Sequence, residues 1–230
     1  MNKTMTARQR LARLFFILLP ASFILSVTGC TILGALVSKV APQQTIPAQY
    51  TSFQDQSIAI MVWADDGTMI DFPAVRADVA GSLQVKLQQA ATQGKVKHLA
   101  GISFPTSPAT VVRFQDDHAD YQTTALADVA PSLGASRVIY VELERLQTRS
   151  DASVELYRGS AAATLKVVEV PADGGPAKVA YEETEVTAVF PPNAREEGSP
   201  FGNDFAIYRG TVDALTSELA KRFVPHMEDQ

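Results

Sequence analysis

The chain has 230 residues, with 20 lysines and arginines against 25 acids, and a single cysteine. An acidic balance opposes nucleic-acid binding and attachment to anionic lipid by charge alone, since both need basic patches. One thiol excludes an internal disulfide and a zinc-thiolate cluster.

The first thirty residues carry a targeting pattern. Lys3, Arg8, Arg10 and Arg13 supply positive charge, and residues 14–27 (LFFILLPASFILSV) then run apolar. The run suits a signal h-region and falls short of the ~20 residues that cross a bilayer as a helix. Val27, Thr28 and Gly29 lead into Cys30. This segment resembles the lipobox of bacterial lipoproteins. The resemblance implies a signal peptide over 1–29, cleavage before Cys30 and acylation (palmitate included) of its thiol. Acyl chains contribute ~0.8 kcal/mol per buried methylene, so two or three hold a protein firmly to a membrane. Thr31 in place of aspartate implies sorting to the outer membrane, with the body facing the periplasm. Removing 1–29 takes away those four basic residues and no acid, which leaves 201 residues with a net charge of −9.

Residues 31–40 (TILGALVSKV) space Ile32, Leu33, Leu36, Val37 and Val40 as a short helix, and Pro42, Gln43, Gln44, Pro47 and Gln49 read as an extended linker. The acylated cysteine and linker are thus expected over 30–56, and one α/β domain over 57–224. Residues 57–64 (SIAIMVWA) are apolar throughout and predict a strand buried on both faces. Asp65, Asp66 and Gly67 predict a turn, and Asp71 a helix cap with Pro73 in the first turn. Phe72, Val75, Val79, Leu83, Leu87 and Ala90 share one face of that helix, and Gly94 stops it.

Residues 96–99 and 110–114 read as short strands, with a loop held between Pro105 and Pro108. Asp120 is placed to cap a helix carrying Leu126, Val129, Ala130 and Leu133, with Gly134 at its end. Residues 137–146 (RVIYVELERL) predict a strand. Residues 156–170 and 178–190 predict the two strands of a hairpin. Asn203 or Asp204 starts a last helix whose buried face is Phe205, Tyr208, Val212, Leu215, Leu219 and Phe223. The expected fold is α/β: a mixed sheet packed with helices, an antiparallel hairpin extension and a C-terminal helix.

The lipobox at Cys30, Tyr50 before the strand SIAIMVWA, the long helix after it and ALADVAPSLGASRVIYVELERL occur in this order. Together they resemble a group of envelope lipoproteins that includes the CsgG/LpoB-like proteins, the DUF799-type lipoproteins and the amino-terminal domain of TolB. The resemblance implies a tethered periplasmic module that binds envelope proteins or self-associates. It carries over no functional residue. Two other roles compete: a subunit of an oligomeric secretion pore, and an accessory lipoprotein of a transport machine. A pore needs alternating lipid-facing strands of ~10 residues, and Glu182, Glu183 and Glu185 put charge on both faces of the return strand.

No catalytic or cofactor signature stands out, so neither an enzyme nor a cofactor is expected. There is no G-x-S-x-G elbow, P-loop or dinucleotide fingerprint. Asp65, Asp66 and Asp71 read as a turn and a cap rather than a calcium loop. Asp116, Asp117, His118 and Asp120 are the most metal-like group, but no second histidine is spaced as a partner, so no metal site is expected. Glu182, Glu183 and Glu185 read as a solvated strand face rather than an acid-base pair. The tripeptide Tyr-Arg-Gly occurs twice, at 157–159 and 208–210. Tyr157, Arg158, Tyr208 and Arg209 are therefore candidate interface anchors, being of the types enriched at binding hot spots.

Overall fold

A computed structural model describes residues 45–94, 96–118, 126–171, 177–193, 195 and 197–227. Residues Thr45–His226 form one compact unit, the body of the protein. Cys30, Val27, Thr28, Gly29, the 31–40 segment and Asp120 lie outside the described residues.

The body is a mixed α/β structure around a four-stranded sheet. Strands β1 (Ile58–Ala64), β2 (Arg137–Ser150), β3 (Ser153–Glu169) and β4 (Lys178–Phe190) lie side by side in chain order. β1 runs parallel to β2, with Ile58 opposite Arg137 and Ala64 opposite Leu143. β2 with β3 and β3 with β4 are antiparallel, so the expected hairpin is present and belongs to the sheet.

β1 is an apolar run because it is covered on both faces. Ile58, Ile60, Val62 and Ala64 meet one hydrophobic cluster, and Ala59 and Met61 meet the other. The first cluster packs against α2 (Val75–Thr92) through Val75, Val79, Leu83 and Leu87. It also packs against α5 (Asp204–Lys221) through Val212, Leu215 and Leu219, continued by Phe223. The second cluster packs against α3 (Pro108–Asp117) through Val111 and α4 (Leu126–Ser132) through Val129 and Ala130. Gly134, at φ +66°, follows α4 as expected.

Three local expectations give way to capping chemistry. Asp65, extended at φ −67° and ψ 161°, accepts from the Thr68 amide at 3.0 Å and the Thr68 hydroxyl at 2.6 Å. It thereby caps a helix, α1 (Asp66–Asp71), where a turn was expected, and Asp71 is that helix's last residue rather than a cap. α2 starts after Ala74 with no side-chain cap. The β-branched run Thr110, Val111, Val112 reads as a strand, yet it lies inside α3. Ser107 accepts from the Thr110 amide at 3.2 Å and Pro108 takes the first turn, so the start signal outweighs strand propensity. Residues Lys97–Leu99 form a single 3-10 turn rather than a strand.

Candidate functional site: an apolar cleft at one pole of the sheet

The sheet gives the body two poles. Arg137 opens β2 and Arg149 nearly closes it, so at ~3.3 Å per residue the two ends lie about 40 Å apart. Each pole carries its own polar network.

At the Arg137 pole, the chain that leads into β1 is built into the core. Tyr50 and Phe53 are buried, with ring centroids 4.6 Å apart, and Phe223 of the C-terminal segment lies 5.2 Å from Phe53. The amides of Gln49 and Tyr50 both donate to the Arg222 carbonyl, at 2.9 and 3.1 Å. The Tyr50 hydroxyl donates to Glu169 at 2.9 Å, and Lys178 reaches the other Glu169 oxygen at 3.1 Å. Burial pushes the Glu169 carboxyl up, but Tyr50, Lys178 and Arg137 outweigh it and hold the group below its ordinary value. Burial and Glu169 together raise the Tyr50 phenol well above its usual range. Tyr181 bonds both Gln49 and Glu183, and Arg222 pairs with Glu183 at 2.7 Å. Gln49, Tyr50 and Phe53 are thus held by the sheet and the C-terminal segment together.

At the Arg149 pole, Arg149 forks onto Asp204, with 2.9 Å from Nε and 2.6 Å from Nη2. This fixed two-point pairing holds the first residue of α5 to the end of β2. Thr148 donates to the same carboxylate at 3.0 Å. Arg149 holds the Asp204 carboxyl below its ordinary value, and Asp204 holds the guanidinium above its own. The Arg149 guanidinium lies 3.8 Å over the Tyr157 ring, a cation–π contact.

Beside this pair opens an apolar cleft of about 280 Å³, lined by Asp71, Phe72, Pro73, Ala74, Asp204, Phe205 and Tyr208. Phe72 and Tyr208 stack at 5.1 Å with planes 9° apart. The Tyr208 hydroxyl donates to Asp78 at 2.6 Å, and burial plus Asp78 raise its phenol pKa well above the usual range. Phe205 is 73% exposed, Phe201 85% and Ile70 78%. Of these, Phe205 lines the cleft itself, and an exposed aromatic in an apolar cleft is the kind of surface that marks an interaction site.

Of the four anchors expected from the sequence, Tyr157 and Tyr208 come to this pole, joined through Arg149 and Asp204. Arg158 is half-buried on the strand. Arg209 lines a separate groove of about 450 Å³ between α2 and α5. Ile70, Phe72 and Phe201 were missed as site residues. Phe205 was expected on the buried face, and its exposure is a correction: Phe190, the last residue of β4, already lies under Gly210, so the first turn of α5 overhangs that strand. A surplus aromatic at the start of an amphipathic helix was the one available signal.

The other clusters disperse. Asp116 pairs with Arg76 at 2.6 Å, while the His118 ring stacks on Phe114 at 4.2 Å. Glu182 pairs with Lys166 and Glu183 with Arg222, and Glu185 occupies a bulge at φ +58°. Among the described residues, no group of histidines, cysteines and acids is arranged to hold a metal, and no helix is long and apolar enough to cross a membrane.

No protein-family model matches the chain, and no curated protein matches it either. Solved structures similar to it include the PelC dodecamer from Paraburkholderia phytofirmans, at 11% identity and a TM-score of 0.37 over 76% of this chain and 94% of that one. Lipoprotein GNA1162 from Neisseria meningitidis is similar at 14% identity and a TM-score of 0.37, over 72% and 98%. The hypothetical protein CT253 from Chlamydia trachomatis is similar at 11% and 0.38, over 72% and 92%. At TM-scores of this size the chain paths agree only in part, and neither activity nor assembly passes from those proteins to this one.

Proposed function

We propose that this chain is a lipid-tethered, non-enzymatic binding module of a bacterial envelope. Acyl chains on Cys30 hold it to the membrane, most simply the outer membrane with the body in the periplasm. The body binds other envelope proteins or further copies of itself. The observation that carries this reading is the polarity of the body. The lead through Tyr50 and Phe53 is clamped at one pole, and the exposed aromatic cleft opens at the other. The lead joins the body at the Tyr50 pole, so the cleft at the other pole is free of it. The lipobox supports the anchor, and the absence of any catalytic motif in the sequence supports a binding role.

Affinity purification from membranes, with wild-type chain and Cys30→Ser side by side, tests it. The expected result is membrane fractionation and co-purifying envelope proteins for wild type, and loss of both for Cys30→Ser. Identical fractionation and identical partners for the two would remove the tether from the account.

A further inference from the structure

The cleft at the Arg149 pole supplies aromatic faces and carboxylates, and no lysine or arginine lines it. Asp71 lines it, and among the described residues no ion pair reaches the Asp71 side chain. Asp66 is exposed on the same short helix, α1. The second lining carboxylate, Asp204, is neutralised by Arg149, whose own charge is thereby consumed. Arg76 is committed to Asp116, and Arg209 lines the neighbouring groove, from which its charge reaches the Tyr208 phenol without lining the cleft itself. The excess charge at the cleft is therefore negative, set beside the rings of Phe72, Phe205 and Tyr208.

That combination suits a positive head on an apolar stem. A lysine or arginine stem can lie along aromatic faces while its head meets carboxylates and ring quadrupoles. An acidic side chain in the same place would meet the Asp71 carboxylate as a like charge. The volume admits one or two large side chains, so the occupant is a segment that inserts residues and not a folded ligand that fills the cleft. Phe205, 73% exposed, offers cover to apolar neighbours of the inserted cation.

We infer that the cleft of Asp71, Phe72, Phe205 and Tyr208 receives a lysine- or arginine-bearing apolar segment of a partner protein. This rests on the reading of the chain as a binding module and names the chemistry of the partner.

Full-length chain in neutral detergent is titrated against a fluorescent hexapeptide of alternating leucine and arginine. An alternating leucine and glutamate peptide and empty micelles serve as controls. The arginine peptide binds and the glutamate peptide does not. Phe205→Ser weakens binding at least tenfold and Asp71→Asn several-fold, while Val179→Ser, at an exposed position on β4, leaves it unchanged. Circular dichroism and thermal melts establish that each variant is folded. Equal binding of both peptides, or binding indifferent to Phe205→Ser, overturns the inference. Self-association that Phe205→Ser abolishes, without peptide binding, overturns it in favour of a second copy. Absence of arginine-peptide binding by chain that still fractionates with membranes overturns this inference and leaves the tether standing.

Discussion

Gly159 and Gly210 set how closely α5 lies on the hairpin. A β-carbon at Gly159 would stand 1.8 Å from the Thr211 hydroxyl, and one at Gly210 would stand 2.3–2.5 Å from three atoms of the Phe190 ring. The two Tyr-Arg-Gly tripeptides therefore share a packing role in their third residue, although one is on a strand and the other on a helix. Gly210→Ala is expected to lower stability by about 1–3 kcal/mol, the usual cost of overpacking, as read by urea unfolding. A wild-type midpoint for Gly210→Ala would mean that the helix is free to lift.

Glu169 makes a second prediction at this scale. Its carboxyl is held below the ordinary value, so the folded state favours the charged form. The stabilisation is complete above the unfolded carboxylate pKa of ~4.3 and is lost as pH falls through the lower folded value. Glu169→Gln should lower stability by about 1.5–3 kcal/mol at pH 7, since it takes the charged acceptor from Tyr50 and Lys178. The gap between thermal melts of wild type and Glu169→Gln should narrow as pH falls below the unfolded carboxylate pKa of ~4.3. A gap that persists unchanged at pH 3 would contradict the charged role.

At the scale of elements, the lead before β1 behaves as part of the body. Its proline and glutamine spacing reads as a linker, while the burial of Tyr50 and Phe53 depends on Phe223, some 170 residues later in the chain. Periodicity cannot reveal a contact of that span. Phe53→Ala should cost about 3–5 kcal/mol in chemical unfolding, the range for a buried aromatic truncated to alanine. A cost under 1 kcal/mol would return the segment to a loose linker. Elements with both a period and an end signal were legible: β1, the apolar face of α2, the hairpin, and α5 with its Asn203 cap. α3 was not, because the β-branched Thr110–Val111–Val112 run hides a cap that one serine and one proline provide. The cleft was legible only through Tyr208. Its other residues come from α1, the stretch after it and the first turn of α5, brought together by the Phe72–Tyr208 stack, a contact between distant segments that periodicity cannot reveal.

For the whole molecule, polarity and charge act together. The network at Tyr50 fixes where the lead joins the body, and the fork at Asp204 shapes the cleft some 40 Å away along β2. An acidic body resists adsorption to anionic lipid, so the proposed module needs Cys30 for its localisation and the cleft for recognition. A photo-reactive amino acid at position 205, with position 179 as control, tests both in living cells when combined with Cys30→Ser. The prediction is a crosslink to another polypeptide from position 205 and none from 179, with the 205 product much reduced once the thiol is gone. Crosslinks from 179 alone, or a 205 product indifferent to Cys30, would contradict a tethered module that binds through its far pole.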